Sequence, residues 1–258
     1  MIFRRSKKRD DEQELDATAT GSDETAADAV EEDGPDADAD ATTASPADDE
    51  AELDLEELDA RDWRTDGPHD ITELDGDHEL EGTAEMPRID LGAMVLAGLP
   101  GAELRLQVSE ETQQIVSAML IHGDSALELG AYAAPRSGGL WSELREEIMA
   151  SATEAGGSAS LAEGPFGVEL RRLIPVTTPE GEQGYQPSRM WVAEGPRWLL
   201  RGIVYGQAAL EDGTDSPVAE MLTAFRSVVV RRGDEAMAPG DLLPLTMPQN
   251  AVAEDQSA

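Results

Sequence analysis

The chain has 258 residues, no cysteine and 55 acidic side chains against 19 basic ones, for a formal net charge of −36. These totals exclude disulfides, thiolate catalysis and cysteine-based metal centres. They also disfavour direct nucleic-acid binding by the whole chain, since a field of that sign repels phosphate.

In chain order, residues 1–9 form a basic tip with five positive groups and no acid, and residues 10–85 hold 31 acids against two arginines. So acidic and apolar-poor a segment cannot bury enough surface to offset the entropy of ordering it, which predicts disorder over 10–85. Within it, "AELDLEELDARDW" at 51–63 spaces Leu53, Leu55, Leu58 and Trp63 for a short helix. That helix is either transient or a docking motif that folds on a partner.

From residue 86 the composition becomes that of a folded domain, expected over 86–240. "ELRLQVS" at 103–109 alternates as a half-buried strand, and "IVSAMLI", "HGD" and "SALELGAYAA" read as a hairpin. "SGGLWSELREEIMASATEAGG" predicts a helix with Ser137 as its cap and Gly156–Gly157 as its stop. Strands are predicted at 166–174, 189–193 and 197–205. A second helix follows with Ser216 as cap and Pro217 at its first position. "SVVVRR" at 227–232 is a final strand or the helix end, and 241–258 reads as a tail. This order predicts an α+β domain, a mostly antiparallel sheet with both helices on one face, behind a long disordered acidic segment.

Signatures of catalysis are scarce. His122, Asp124 and Ser125 share one tight turn and cannot reach triad geometry. Asp75, Asp77, His78 and Glu79 lack the full calcium-loop pattern, and Glu146 and Glu147 read as a soluble helix face. No cofactor, metal site or catalytic residue is expected. The longest apolar run, 91–102, is interrupted by Pro100 and falls short of the roughly twenty residues of a spanning helix. A cytoplasmic protein without a transmembrane segment is expected.

Arginine supplies the remaining signal. The tetrapeptide "AEGP" occurs at 162–165 and again at 193–196, each time leading into an apolar run with paired arginines. A three-residue loop at the second copy would place Arg189 opposite Arg201 and Trp191 opposite Leu199. Alternation would then put Arg197, Leu199, Arg201, Ile203 and Tyr205 on one face, whereas a two-residue loop would remove the Arg–Arg pairing. Opposed arginines need an anion or carboxylate between them. Glu169 or Glu163 is one source and an anionic ligand another. Arg171, Arg189, Trp191, Arg197 and Arg201 are the candidate binding residues.

The stretches "FRRSKKR", "GAELRLQV", "GLWSELREEI", "GPFGVEL", "GPRWLLRGIVYG" and "VVVRRGDEAMAPGDLLPL" together resemble an actinobacterial domain-of-unknown-function family over roughly 86–248. Members are often encoded near dUTPase, and the resemblance implies no catalytic residue. The ending "PRWLLRGIVYG…SPVAEMLTAFRSVVV" also resembles the Mog1/PsbP-like fold, which implies partner binding. The leading expectation is a non-enzymatic domain binding a protein partner or an anion. The alternative is an enzyme or regulator of nucleotide or nucleic-acid metabolism, holding phosphate on the arginine-bearing sheet face.

Overall fold

The computed structural model describes residues 53–74, 87–178 and 181–248. The basic tip, the acidic stretch before residue 53, the carboxylates at 75–79 and the final residues from 249 lie outside them.

Seven antiparallel strands make the larger sheet: β4 (Glu103–Val108), β5 (Ile115–His122), β6 (Ser125–Ala133), β7 (Ser158–Gly164), β8 (Gly167–Thr177), β9 (Gln183–Gly195) and β10 (Trp198–Gly206). Their order across the sheet is β4-β5-β6-β10-β9-β8-β7. A smaller sheet, ordered β1-β11-β3-β2, joins β1 (His69–Asp70), β2 (Arg88–Asp90), β3 (Met94–Ala97) and β11 (Val229–Val230). Among the described residues only the β1–β11 pair is parallel. Four helices complete the described fold: α1 (Leu55–Ala60), α2 (Leu140–Glu154), α3 (Gln207–Leu210) and α4 (Val218–Arg226). The expected α+β class with mostly antiparallel sheets is what the chain adopts.

The helices are placed differently from expectation, because β10 is apolar on both faces. Trp198, Leu200 and Val204 pack with Met221 and Phe225 of α4 and Met94 and Leu96 of the small sheet. Leu199 and Ile203, one position out of phase, pack with Leu140 and Trp141 of α2. Side chains alternate across a strand, so α2 and α4 cover opposite faces of the larger sheet. Below, the α4 side is the inner face and the α2 side the outer face.

Gly202 sits where β10 passes under α4, and a Cβ there would lie 2.6 Å from the Phe225 ring. Gly202→Ala is therefore expected to cost about 1–3 kcal/mol by overpacking, measured as a lower denaturant midpoint at unchanged slope.

Two ends of the domain depart from the expected tails. Asp54 caps α1 through the Glu57 N–H at 2.9 Å, and Leu58 is buried. The helix packs on this chain's own domain: Asp59 takes both guanidinium nitrogens of the buried Arg145 at 2.6 and 2.7 Å. Farther on, Asp70 accepts from the indole N–H of the fully buried Trp198 at 2.7 Å. Residues 53–74 thus form a strap rather than part of a disordered segment. At the other end Leu243 and Leu245 are buried in the main core, and the Leu243 N–H donates to the Ala131 carbonyl at 2.9 Å.

The expected caps are also replaced. The α2 amide groups of Gly139 and Trp141 donate to the Glu194 carboxylate at 2.7 and 2.6 Å, so Glu194 does what Ser137 was expected to do. Pro217 immediately precedes α4, while the Ser216 hydroxyl donates to Glu220.

Candidate anion-binding face

Both "AEGP" segments close two-residue hairpin loops. Gly164 pairs with Gly167 around Pro165–Phe166, and Gly195 pairs with Trp198 around Pro196–Arg197. Arg197 holds a left-handed φ of 64°, and its carbonyl accepts from Ala134 N–H at 2.9 Å and Arg232 Nε at 3.1 Å. It belongs to the turn rather than to the strand face. The shorter loop sets Arg189 opposite Val204 and Arg201 opposite Val192. The Arg189–Arg201 and Trp191–Leu199 pairings expected from a three-residue loop do not form.

The opposed pair is instead Arg171 with Arg189, across β8 and β9 on the inner face. A carboxylate stands between them. Glu169, fully buried, accepts from Arg171 Nε and from Arg189 Nε and Nη2, all at 2.9 Å, and from Trp191 Nε1 at 2.6 Å. Arg189 Nη1 also donates to the carbonyls of Glu211 and Gly213 at 2.9 and 3.0 Å, and Arg171 Nη1 to Asp212 at 2.6 Å. Three of the five candidate residues, Arg171, Arg189 and Trp191, are therefore gathered on one internal carboxylate, and the two arginines also pin the 211–213 loop.

Arg201 stands apart, on the outer face. Its guanidinium lies 5.0 Å over the Tyr132 ring. That ring lies back over Gly130, where a Cβ would meet the hydroxyl at 3.0 Å. Glu128 and Tyr205 share the face, and the Tyr205 hydroxyl donates to Glu128 Oε2 at 3.2 Å. Arg172 joins them from β8, the strand position after Arg171 having turned it to the opposite side. The Nε atoms of Arg172 and Arg201 are buried without a hydrogen-bond partner among the described residues.

Burial is the largest influence on this group. It raises the Tyr132 hydroxyl above its usual range and, together with Glu128, pushes Tyr205 up to about 12. Both hydroxyls are therefore neutral donors at physiological pH. Burial, reinforced by the Arg201 charge and opposed by Tyr205 and Glu128, lowers Arg172. The face carries two guanidinium groups, two phenols and one carboxylate. Beside Arg172 a groove of about 470 Å³ opens against α2, lined also by Glu147, Ile148 and Ser151. Sequence spacing marked Arg201 and set Tyr205 on its face but missed Arg172, Tyr132 and Glu128. Only the β6–β10 register brings Tyr132 and Glu128 beside Arg201.

A two-sheet α+β domain with one internally neutralised arginine cluster and one open arginine–tyrosine face is the class these features define. The family model described as "Protein of unknown function (DUF3710)" matches residues 67–254, and the chain belongs to that family. No curated protein matches the sequence. Among solved structures, the chain is similar to cyanobacterial PsbP (CyanoP) from Synechocystis sp. PCC 6803, with 14% identity and a TM-score of 0.35. The match covers 58% of this chain and 94% of that one. A likeness of that size supports no functional argument. Among the described residues, no helix is long and apolar enough to cross a membrane.

Proposed function

We propose that the chain is a non-enzymatic, cytoplasmic binding domain whose outer sheet face takes an oxyanion, carboxylate or phosphate, presented by a partner. The observation behind this reading is the contrast between the two faces. Arg171 and Arg189 are already partnered by Glu169, whereas Arg172 and Arg201 keep buried, unpartnered Nε groups beside two neutral phenols. Unmade hydrogen bonds of a buried charged donor are costly, and an incoming oxyanion would make them.

Calorimetric titration of the full chain with pyrophosphate and with a tetraglutamate peptide tests this and separates phosphate from carboxylate recognition. Arg201→Gln is expected to weaken whichever probe binds by about tenfold, as does Arg172→Gln, the loss of one charge-assisted contact each. Raising the salt concentration weakens the wild type in parallel. Failure of both probes to bind, or affinities unchanged in the two variants, would sink the assignment.

A further inference from the structure

The groove beside Arg172 is larger and more apolar than a bare oxyanion requires. Its volume of about 470 Å³ is many times the roughly 30 Å³ that one water occupies in the liquid. Ile148, Ala152 and Ala155 line it from α2 and its cap, and Ile174 from β8. The space follows from the sequence of the helix. At its start α2 sets Leu140 and Trp141 into the outer core, whereas near its end the corresponding groups are the short side chains of Ala152 and Ala155. The helix end cannot settle further, because a Cβ at Gly157 would already lie 2.4 Å from the Leu173 carbonyl and 3.2 Å from Ile174 Cα. Short side chains on an end held in that way leave a cleft. β7 adds no cover, since its ladder on β8 stops at the Ser158–Leu173 pair, one position before Ile174.

Polar groups border this apolar lining at two places. On the β8 side is Arg172, shared with the face that holds Arg201 and Tyr205. On the α2 side are Glu147 and Ser151, one helical turn apart and both exposed. An oxyanion joined to an apolar body matches Arg172 and the lining together. Glu147 narrows the choice of body. Its carboxylate repels a second anionic group and accepts from N–H donors, which a peptide backbone carries and an alkyl chain lacks. A free carboxylate, an aliphatic side chain and a backbone N–H around one carbon atom are the chemistry of a protein's C-terminal residue.

We infer that the groove and the Arg172–Arg201 face together bind the free C-terminus of a partner protein whose last residue is aliphatic. This occupant deepens the anion-binding proposal and depends on it. The terminal carboxylate takes the guanidinium groups and supplies the acceptor that their buried Nε atoms lack. The last side chain lies along Ile148, Ala152 and Ile174, and the backbone N–H turns to Glu147.

Calorimetric titration of the full chain at moderate salt compares acetyl-Gly-Gly-Leu with a free carboxylate, the same peptide as its amide, and acetyl-Gly-Gly-Ser with a free carboxylate. The Leu acid is expected to bind about tenfold or more tighter than the Ser acid, through burial of its side chain. It exceeds the amide by about the same factor, through the charge-assisted contacts. Ala155→Phe fills the groove from an exposed position and brings the Leu acid down to the level of the Ser acid, as does Ile174→Ser. Val108→Ser, at an exposed residue of β4, changes neither. Leu and Ser acids of equal affinity, while pyrophosphate still binds in an Arg172-dependent way, overturn this inference and leave the anion-binding face standing. Leu-acid binding undiminished in both groove variants, or equal binding of acid and amide, overturns it as well. Decanoate binding more tightly than the Leu acid does so by making a lipid anion the occupant. If no probe binds, pyrophosphate and tetraglutamate included, both readings fall.

Discussion

Glu169→Gln is expected to destabilise the domain by about 3–5 kcal/mol, the range for removing one partner from a buried ion cluster. The substitution keeps the shape of the side chain and removes its charge. Two guanidinium groups then face each other across β8 and β9 with only the exposed Asp212, on Arg171, as counter-charge, at positions where Arg189 is 2% exposed and Glu169 fully buried. At the size of this domain such a loss lowers the thermal midpoint by roughly 10 °C. Removing Arg189 as well separates charge from packing. Glu169→Gln with Arg189→Met is expected to be less damaging than Glu169→Gln alone, because the uncompensated positive charge leaves with it. A single-variant loss below about 1 kcal/mol, or a double variant worse than the sum of its parts, would count against Glu169 as the neutralising centre.

The second large effect concerns the strap. Asp70→Ala removes the acceptor for Trp198 Nε1 at 2.7 Å and for the Thr72 N–H and hydroxyl at 2.9 and 2.6 Å. The indole N–H is then left unpartnered in the core, and the strap loses an internal turn. The combined cost is about 3 kcal/mol. Much of it appears as easier local opening, since the strap is held by few anchors. Limited trypsin digestion reads this directly through Arg61 and Arg64, both on the strap. Asp70→Ala is expected to accelerate cleavage there by about a hundredfold at matched temperature. Trp198→Phe removes the donor but leaves Asp70 with Thr72, and so accelerates cleavage less. Wild-type protection in Asp70→Ala would mean that the strap is held by something other than this bond.

These two sites also mark where the sequence could and could not be read. Strand periodicity and the β5–β6 turn were legible, as were α2, α4 and the run from β8 to β10, because each carries its own apolar pattern. The register of β9 on β10 was not. It depends on Arg197 taking a left-handed φ, a conformation normally left to glycine, so the loop looked one residue longer than it is. That single residue decides whether Arg201 meets Arg189, whereas the pairing of Arg189 with Arg171 over Glu169 is set by the β8–β9 register. Glu169 itself was legible as a possible partner, since the opposition of like charges demanded a carboxylate and few were near. The strap was hidden for another reason. Averaged over 10–85, composition argues against folding, yet Leu58, Trp63, Asp59 and Asp70 find complementary groups in the domain. Complementarity to a distant surface leaves no trace in local composition.

The parallel β1–β11 pair has a kinetic side. His69 meets Val229, 160 positions later in the chain. Closing so long a loop is entropically expensive until the intervening sheet has drawn the two segments together. During synthesis the strap therefore emerges long before its strand partner exists, and Trp198 must be made before Asp70 can anchor the strap to the core. The first part of the domain to leave the ribosome is among the last to find its place.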